Sequence, residues 1–160
     1  MTQHLLSVAD QYDAFLLDLW GVVHDGSHLY PGVFETLTAL HAAGKKIIFV
    51  SNAPRRAHKV IAVLSQLGVA ANLYDHVISS GELGWLWLEA GKVSFGKHYY
   101  YIGPSRDADV MDGLPFTRVD DLKEVDFLLN VGFGSEERTS VDLMPLLRAA
   151  KALSLPMLCL

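Results

Sequence analysis

Apolar residues in this chain are concentrated in short continuous runs, and the longer segments between these runs carry apolar residues at helical spacing. The runs are AFLLDL, KIIFVS, HVIS, HYYYIG and DFLLNVG, and the final LSLPMLCL predicts one more. Continuous rather than alternating hydrophobicity is typical of strands covered on both faces, as in a parallel sheet. The pattern therefore predicts repeated βα units and an α/β fold.

Two helices are predicted from the residues at their ends. One lies between Pro31 and Gly44 and the other between Pro54 and Gly68, because proline favours the first turn of a helix and glycine its end. Their buried faces are predicted to contain Val33, Leu37, Leu40, Val60, Val63, Leu64 and Leu67. A third, short helix is predicted within GELGWLWLEAGKVSFGK, where a second module begins. We therefore divide the chain into residues 1–80 and 81–160.

Composition and charge narrow the class of protein. With 160 residues, of which 51% are hydrophobic, the chain can bury a core. A charged fraction of 19% without long runs and a net charge of -5 argue against nucleic acid as a partner and favour small molecules. The chain has a single cysteine and no pattern typical of a secretion signal, and its apolar runs are too short to cross a bilayer. These features predict a cytoplasmic protein without a membrane span. The oligomeric state stays open, a homo-oligomer included.

Polar residues follow the first two predicted strands, at the end where each strand finishes. Asp18 ends the first run, and Ser51 with Asn52 ends the second. In an open parallel sheet ligands bind outside the carboxyl ends of the strands, so these side chains are expected to face one small pocket. With Mg²⁺ to offset repulsion, such a carboxylate can attack a phosphorus atom while the hydroxyl holds phosphate oxygens. The arrangement predicts phosphoryl transfer through an aspartyl-phosphate.

The residues around these positions resemble a known group, subfamily IIA of the haloacid dehalogenase (HAD) superfamily. DLWGVVHDGSHLYPGV is similar to the group's first motif and the loop after it, and IIFVSNAPR is similar to the second motif. Most members are magnesium-dependent phosphatases of small molecules. The resemblance implies that residues 1–80 form the first half of a Rossmann-like core and that residues 81–160 form part of an α/β cap domain.

The resemblance also implies roles for individual residues. Asp18 matches the nucleophile and a metal ligand, and the main-chain carbonyl of Trp20 matches a second ligand of Mg²⁺. Ser51 and Asn52 match the phosphate-binding pair. Gly21 and Arg55 are further candidates for binding the substrate, a small phosphorylated molecule, although arginines near a helix start are common on protein surfaces.

One departure from the family pattern lies inside the first motif. The usual motif has a second aspartate two residues after the nucleophile, which protonates the leaving group and then acts as base for the attacking water, but here that residue is Trp20. An indole cannot replace a carboxylate in proton transfer, a contribution worth about 10²- to 10⁴-fold. The tryptophan also occurs in a DxWG branch that this sequence resembles. His24 and Asp25 could supply the proton if their loop folds back, or they could form a tight hairpin turn with Gly26 at positive φ.

A second departure concerns the family's phosphate-binding lysine and the acidic pair that completes the magnesium site. Both fall in a C-terminal half that these 160 residues do not contain. We therefore expect little or no turnover from this chain. The alternatives are a non-catalytic phosphate-ligand-binding or regulatory module that keeps the pocket, and a fragment that cannot fold alone.

Several of the candidate residues also have a purely structural interpretation. Asp18 could cap a turn, and Ser51 and Asn52 could cap the helix predicted at Pro54. Ser105 is interpreted as a helix N-cap. Gly132 and Gly134 are interpreted as a glycine-rich turn, because no lysine of a phosphate-binding loop follows them.

Overall fold

The computed structural model describes residues 5–133 and 140–160, which form two compact units. The first unit comprises Met1–Asn52 and Ala57–Ser79, and the second comprises Ala53–Arg56 and Ser80–Leu160. The short segment Ala53–Arg56 thus belongs to the second unit, although the chain on both sides of it belongs to the first.

The first unit is a three-stranded sheet with helices in its connections. In chain order it contains a 3-10 helix at Leu5–Gln11, β1 at Ala14–Asp18, α1 at Val33–Ala42, β2 at Lys46–Ser51, α2 at Ala57–Gln66, a 3-10 helix at Ala71–Leu73 and β3 at His76–Ser79. The strands are parallel and lie in the order β1-β2-β3. Its buried residues include Phe15, Leu37, Leu40, Ile47, Phe49 and Leu64. All three carboxyl ends consequently meet at one edge of this sheet.

The second unit is built on a separate four-stranded sheet. In chain order it contains α3 at Ser80–Glu89, β4 at His98–Ile102, a 3-10 helix at Ser105–Met111, β5 at Thr117–Arg118, β6 at Phe127–Asn130, α4 at Ser140–Ala152 and β7 at Met157–Cys159. These strands are also parallel, in the order β5-β4-β6-β7. Phe127 is fully buried and contacts the rings of Phe95, Tyr99 and Phe116.

In both sheets, an aspartate just before one strand forms two hydrogen bonds with a main-chain group pair of the neighbouring strand. The main-chain N–H of Asp75 donates to the Ile47 carbonyl at 2.7 Å, and its carboxylate accepts from the Ile47 N–H at 2.9 Å. Asp126 and His98 repeat this exchange at 2.8 Å in both directions. The pKa of Asp75 is lowered, first by Lys46 and then by the Ile47 amide, and the pKa of Asp126 is lowered by the amides of His98 and Lys97.

The α/β fold with parallel strands is confirmed, and every predicted run contains a strand. Three local predictions are wrong. The second helix begins at Ala57 rather than at Pro54, because the carbonyl of Ala53 accepts hydrogen bonds from Ser80 and Gly81 instead of starting that helix. Ser51 and Asn52 therefore cannot cap it.

Ser105 begins a 3-10 helix and does not cap it, since the preceding Pro104 occupies the cap position. Gly132 has a φ of 142°, as a glycine-rich turn requires, whereas Gly134 lies outside the described residues. Among residues 5–133 and 140–160, we find no helix that has both the length and the apolar character needed to cross a membrane.

Candidate functional site

Asp18 is the last residue of β1, and its side chain is exposed at the carboxyl edge of the first sheet. Its Oδ1 atom accepts a hydrogen bond from the Leu19 N–H at 2.7 Å, which fixes the carboxylate at the start of the following turn. Asp18 therefore does cap a turn, as its structural interpretation predicts. Capping uses Oδ1, so Oδ2 can still serve as a nucleophile or a metal ligand.

Ser51 is the last residue of β2, the strand next to β1. In the parallel register Asp18 pairs with Val50, one residue before Ser51, and Ser51 pairs with Ser79 of β3. Ser51 is buried, whereas Asn52, the next residue, is exposed. Adjacent strands lie about 4.8 Å apart. The register thus brings the backbones of Asp18 and Ser51 to the same edge of the sheet on neighbouring strands.

The turn after Asp18 is shaped by main-chain hydrogen bonds. The Leu19 carbonyl accepts from the N–H groups of Val23 at 2.8 Å and His24 at 3.1 Å, and the Gly21 N–H donates to the His24 carbonyl at 2.9 Å. Gly21 has a φ of +80°, and a Cβ there would meet nothing within 4 Å. Glycine is therefore favoured at this position by backbone conformation and not by lack of space. These bonds do not use the Trp20 carbonyl.

The Trp20 indole is 64% exposed and packs on the loop that follows it. Its ring lies edge-on to the His24 ring, with centroids 5.9 Å apart. It also covers Gly26 so closely that a Cβ there would lie 2.5 Å from the Cζ3 atom of the indole. The position that the family motif gives to a proton-transferring carboxylate therefore holds an apolar ring.

The hairpin interpretation of the following residues is confirmed. His24 pairs with Leu29 in antiparallel fashion, and Gly26 has a φ of +99°. The Asp25 carboxylate accepts from the N–H groups of Ser27 at 2.8 Å and His28 at 2.7 Å, and these bonds lower its pKa. An aspartate so stabilised in its ionised form is a poor proton donor near neutral pH.

His24 is buried beside this turn, and its Nδ1 atom accepts a hydrogen bond from the Gly26 N–H at 2.9 Å. Burial lowers the pKa of its imidazole, and the neighbouring Asp25 opposes that shift only in part. The ring is therefore favoured in its neutral form, with its proton on Nε2. That His24 transfers a proton to a substrate stays a hypothesis.

Arg55 and Arg56 lie in the second unit and are engaged by acidic residues of that unit. The Arg55 Nε atom is 3.3 Å from Oδ1 of Asp107, and its Nη2 donates to Oδ2 at 3.4 Å. Arg56 donates to the two carboxylate oxygens of Glu82 at 2.7 and 3.2 Å, and its guanidinium lies 3.9 Å from the Trp85 ring centroid.

Sequence reasoning missed Asp107 and Glu82. They lie 52 and 26 residues from their arginines, and no motif or spacing rule links residues so far apart. The expectation that Arg55 contacts a substrate stays a prediction.

Comparison with known proteins identifies the family of this chain. Residues 15–117 match the family model of haloacid dehalogenase-like hydrolases. The chain belongs to that family. The HAD resemblance noted from its motifs is thereby confirmed.

Three relatives of this HAD-like chain illustrate the match. Phosphoglycolate phosphatase 2 of Arabidopsis thaliana is 32% identical over 98 residues, which cover 61% of this chain and 33% of the relative. The crystal structure of a haloacid dehalogenase-like hydrolase from Brucella suis 1330 has a TM-score of 0.88 and 32% identity over 99% of this chain and 57% of that one. A glycerol phosphate phosphatase from Mycobacterium tuberculosis, solved in complex with magnesium, has a TM-score of 0.64 and 26% identity over 91% of this chain and 43% of that one.

The HAD-like chain thus spans about a third of the curated relative and just over half of the Brucella protein. Within its described part, no group of three or more histidine, cysteine, aspartate or glutamate residues is close enough to hold a metal ion.

Proposed function

We propose that this chain is a phosphatase-type hydrolase that acts on a small phosphorylated metabolite through an aspartyl-phosphate on Asp18. The observation that carries the proposal is the register of β1 and β2, which brings Asp18 and Ser51 to the same carboxyl edge on adjacent parallel strands. Ligands of open parallel sheets bind at such edges. The named phosphatases among the relatives support the same reaction class.

Each residue of this site has a separate role in the proposed reaction. The Asp18 carboxylate attacks phosphorus, the bond from phosphorus to the leaving oxygen breaks, and that oxygen takes up a proton. Water then attacks the aspartyl-phosphate, which releases inorganic phosphate and restores the carboxylate. The Ser51 hydroxyl and the Asn52 amide donate hydrogen bonds to phosphate oxygens, and Gly21 allows the turn to follow the phosphate closely. The Leu19 N–H orients Asp18 through its bond to Oδ1.

Mg²⁺ is the proposed cofactor, and the donors present fit it in kind. The Asp18 carboxylate and the Trp20 carbonyl are oxygen ligands, and Mg²⁺ is usually held by one or two carboxylates together with water and substrate phosphate. When bound, the ion would offset the repulsion between the carboxylate and the phosphate.

Proton transfer is the weak step of this proposal. Trp20 offers no carboxylate, the pKa of Asp25 is lowered, and His24 is favoured in its neutral form. We therefore propose that turnover by these 160 residues is weak or absent. The same observation favours the second candidate function, a phosphate-ligand-binding or regulatory pseudoenzyme that keeps the pocket and performs no chemistry.

The domain bounds predicted from the sequence are also part of this proposal. We assign residues 1–80 to the first half of the HAD core and residues 81–160 to part of the cap domain. We also propose a cytoplasmic location, because the chain has a single cysteine, Cys159, and needs no oxidising compartment.

Hydrolysis of 4-nitrophenyl phosphate, with and without Mg²⁺, tests the enzyme proposal. This substrate has a leaving group that needs no protonation, so the missing acid does not limit the first step, formation of the aspartyl-phosphate. We expect slow magnesium-dependent turnover that Asp18→Asn abolishes and that Asp13→Asn preserves. Asp13 is a matched control, because it is an exposed aspartate just before the other end of β1. Turnover that survives Asp18→Asn would contradict the nucleophile assignment.

Calorimetric titration with Mg²⁺ and beryllofluoride, a mimic of the phosphoryl group, separates the two candidate functions. Binding together with turnover supports the enzyme, and binding without turnover supports the pseudoenzyme. Failure to bind at all would contradict both.

A further inference from the structure

The side chain that follows the proposed nucleophile at a spacing of two residues is an indole held in place by its own loop. Trp20 is two residues after Asp18, so its Cα lies at most about 7 Å from that of Asp18. The ring lies against Gly26, where a Cβ would be 2.5 Å from the indole, and it lies edge-on to His24. An indole offers only an N–H donor and no basic atom. This position therefore provides neither an acid nor a base.

The next two ionisable residues of the chain, His24 and Asp25, are engaged in the hairpin. His24 is buried, and its Nδ1 atom already accepts a hydrogen bond from the Gly26 N–H at 2.9 Å. The Asp25 carboxylate accepts from the N–H groups of Ser27 and His28, and these bonds lower its pKa. A carboxylate with a lowered pKa is a poor acid near neutral pH and also a weak base. Both residues are thus poorly arranged to replace the missing aspartate.

The proposed reaction needs proton transfer at two points. In the first step, an alkyl leaving oxygen must be protonated, because an alcohol is a very weak acid, comparable to water with its pKa of about 16. A carboxylate leaving group is stable without a proton, since its acid has a pKa of about 4. In the second step, water must lose a proton as it attacks the aspartyl-phosphate, whatever the leaving group was. Lack of an acid and base therefore favours acidic leaving groups in the first step and slows the second step with every donor.

We propose that Asp18 accepts a phosphoryl group from donors in which phosphorus is bonded to an acidic oxygen, and that it then keeps this group as a long-lived aspartyl-phosphate. Acyl phosphates and aryl phosphates are two sources of such a group. The Asp18 carboxylate forms the new bond to phosphorus, the bond to the acidic oxygen breaks, and the departing carboxylate or phenolate keeps the electron pair. No proton moves in this step. The inference rests on the proposed role of Asp18 as nucleophile, and it makes the chain a phosphoryl acceptor with very slow turnover.

Intact-mass spectrometry of the full chain, incubated with a donor and Mg²⁺, tests the first step. Acetyl phosphate or 4-nitrophenyl phosphate should add one phosphoryl group, and glycerol 3-phosphate should add it about 10²- to 10⁴-fold more slowly. Asp18→Asn should remain unlabelled, whereas the matched control Asp13→Asn should be labelled like the unmodified chain. Labelling by one of the two acidic donors alone supports the proposal and identifies the source. Labelling by glycerol 3-phosphate at the same rate would overturn it.

Release of 4-nitrophenolate and the lifetime of the labelled chain test the second step. We expect a burst of one equivalent per chain and then a slow phase, because the aspartyl-phosphate accumulates. Trp20→Asp should shorten the lifetime of the label by up to about 10²- to 10⁴-fold, because its carboxylate takes a proton from the attacking water. Val22→Asp adds the same charge at an exposed position of the same turn and should leave the lifetime unchanged. An equal effect of both substitutions would overturn the proposal.

The same measurements separate failure of this inference from failure of the proposed function. Turnover that depends on Asp18 but shows no burst would overturn the inference and leave the proposed function standing. If no donor labels Asp18 and no phosphate is released, the proposed function fails and the inference fails with it.

Discussion

Gly81 allows α3 to lie directly against the main chain of the segment Ala53–Arg56. A Cβ added at Gly81 would lie 2.5 Å from the Arg55 nitrogen and 2.7 Å from its carbonyl carbon and oxygen. Ordinary contacts begin at about 3.4 Å, and all three atoms are backbone, so no side-chain rotation can relieve the clash. The Gly81→Ala substitution must therefore push the segment away from the helix.

The size of the effect follows from two opposing contributions. Overpacking a tight contact costs about 1–3 kcal/mol. Alanine is favoured over glycine within a helix by about 0.5–1 kcal/mol, which offsets part of that cost. We expect Gly81→Ala to lower the free energy of unfolding by up to about 2.5 kcal/mol, and by about 1–3 kcal/mol relative to a variant that gains only the helix preference. It should also accelerate hydrogen exchange in the segment.

Gly84→Ala is the control, because it lies on the same helix and gains the same helix preference. The atom nearest to a Cβ at Gly84 would be a δ-methyl carbon of Leu160, at the far end of a side chain that can rotate away. Urea unfolding, followed by far-UV circular dichroism and by the fluorescence of the tryptophans on α3, compares the two variants. If Gly81→Ala is as stable as Gly84→Ala, the close approach of helix and segment is refuted.

Three further predictions concern proton transfer and pH. Trp20→Asp should accelerate magnesium-dependent formation of the aspartyl-phosphate from an alkyl phosphate by up to about 10²- to 10⁴-fold and from an aryl phosphate much less, because only the alkyl leaving group needs a proton; an equal gain in Trp20→Ala would refute this. Burial lowers the pKa of His24 in the folded protein below 6.5, so the free energy of unfolding should fall as the pH drops below that value. In His24→Asn, the plot of the free energy of unfolding against pH should be flatter over this range. The pKa of Asp126 is lowered from 3.8 by backbone amides, so its contribution to stability is present above pH 4 and is lost as pH falls further. Asp126→Asn should reduce that acid sensitivity in unfolding curves recorded from pH 2 to 7, and an unchanged acid limb would count against the role of these bonds.

Much of the fold could be predicted because its signals are local. Continuous apolar runs such as KIIFVS are typical of strands in parallel sheets, and glycines such as Gly44 mark helix ends through their positive φ. The expected burial on both faces is wrong for the first sheet, where Leu16, Val50 and Ile78 are exposed. The strand β5 has two exposed residues, Thr117 and Arg118, and therefore carries no hydrophobic signal. The start of α2 could not be predicted, because contacts with α3, distant in sequence, determine the conformation at Pro54.

The candidate site was predictable to a similar extent. The positions of Asp18 and Ser51 follow from where their strands end, and the hairpin at Gly26 follows from local turn chemistry. The partner of Arg55 could not be predicted, because its pairing with Asp107 depends on the fold of the second unit. Nor does any sequence pattern reveal that the Trp20 ring covers Gly26.

The aspartates that precede β3 and β6 each bond to one neighbouring strand, β2 and β4 respectively. A slip of one residue between neighbouring strands turns every side chain to the opposite face. In a slipped β3, Asp75 would lose the amide of Ile47, and in a slipped β6, Asp126 would lose that of His98. Each sheet thus contains a carboxylate that favours the native register of one strand pair. A designer who transplants either sheet into another protein must therefore include its aspartate, Asp75 or Asp126.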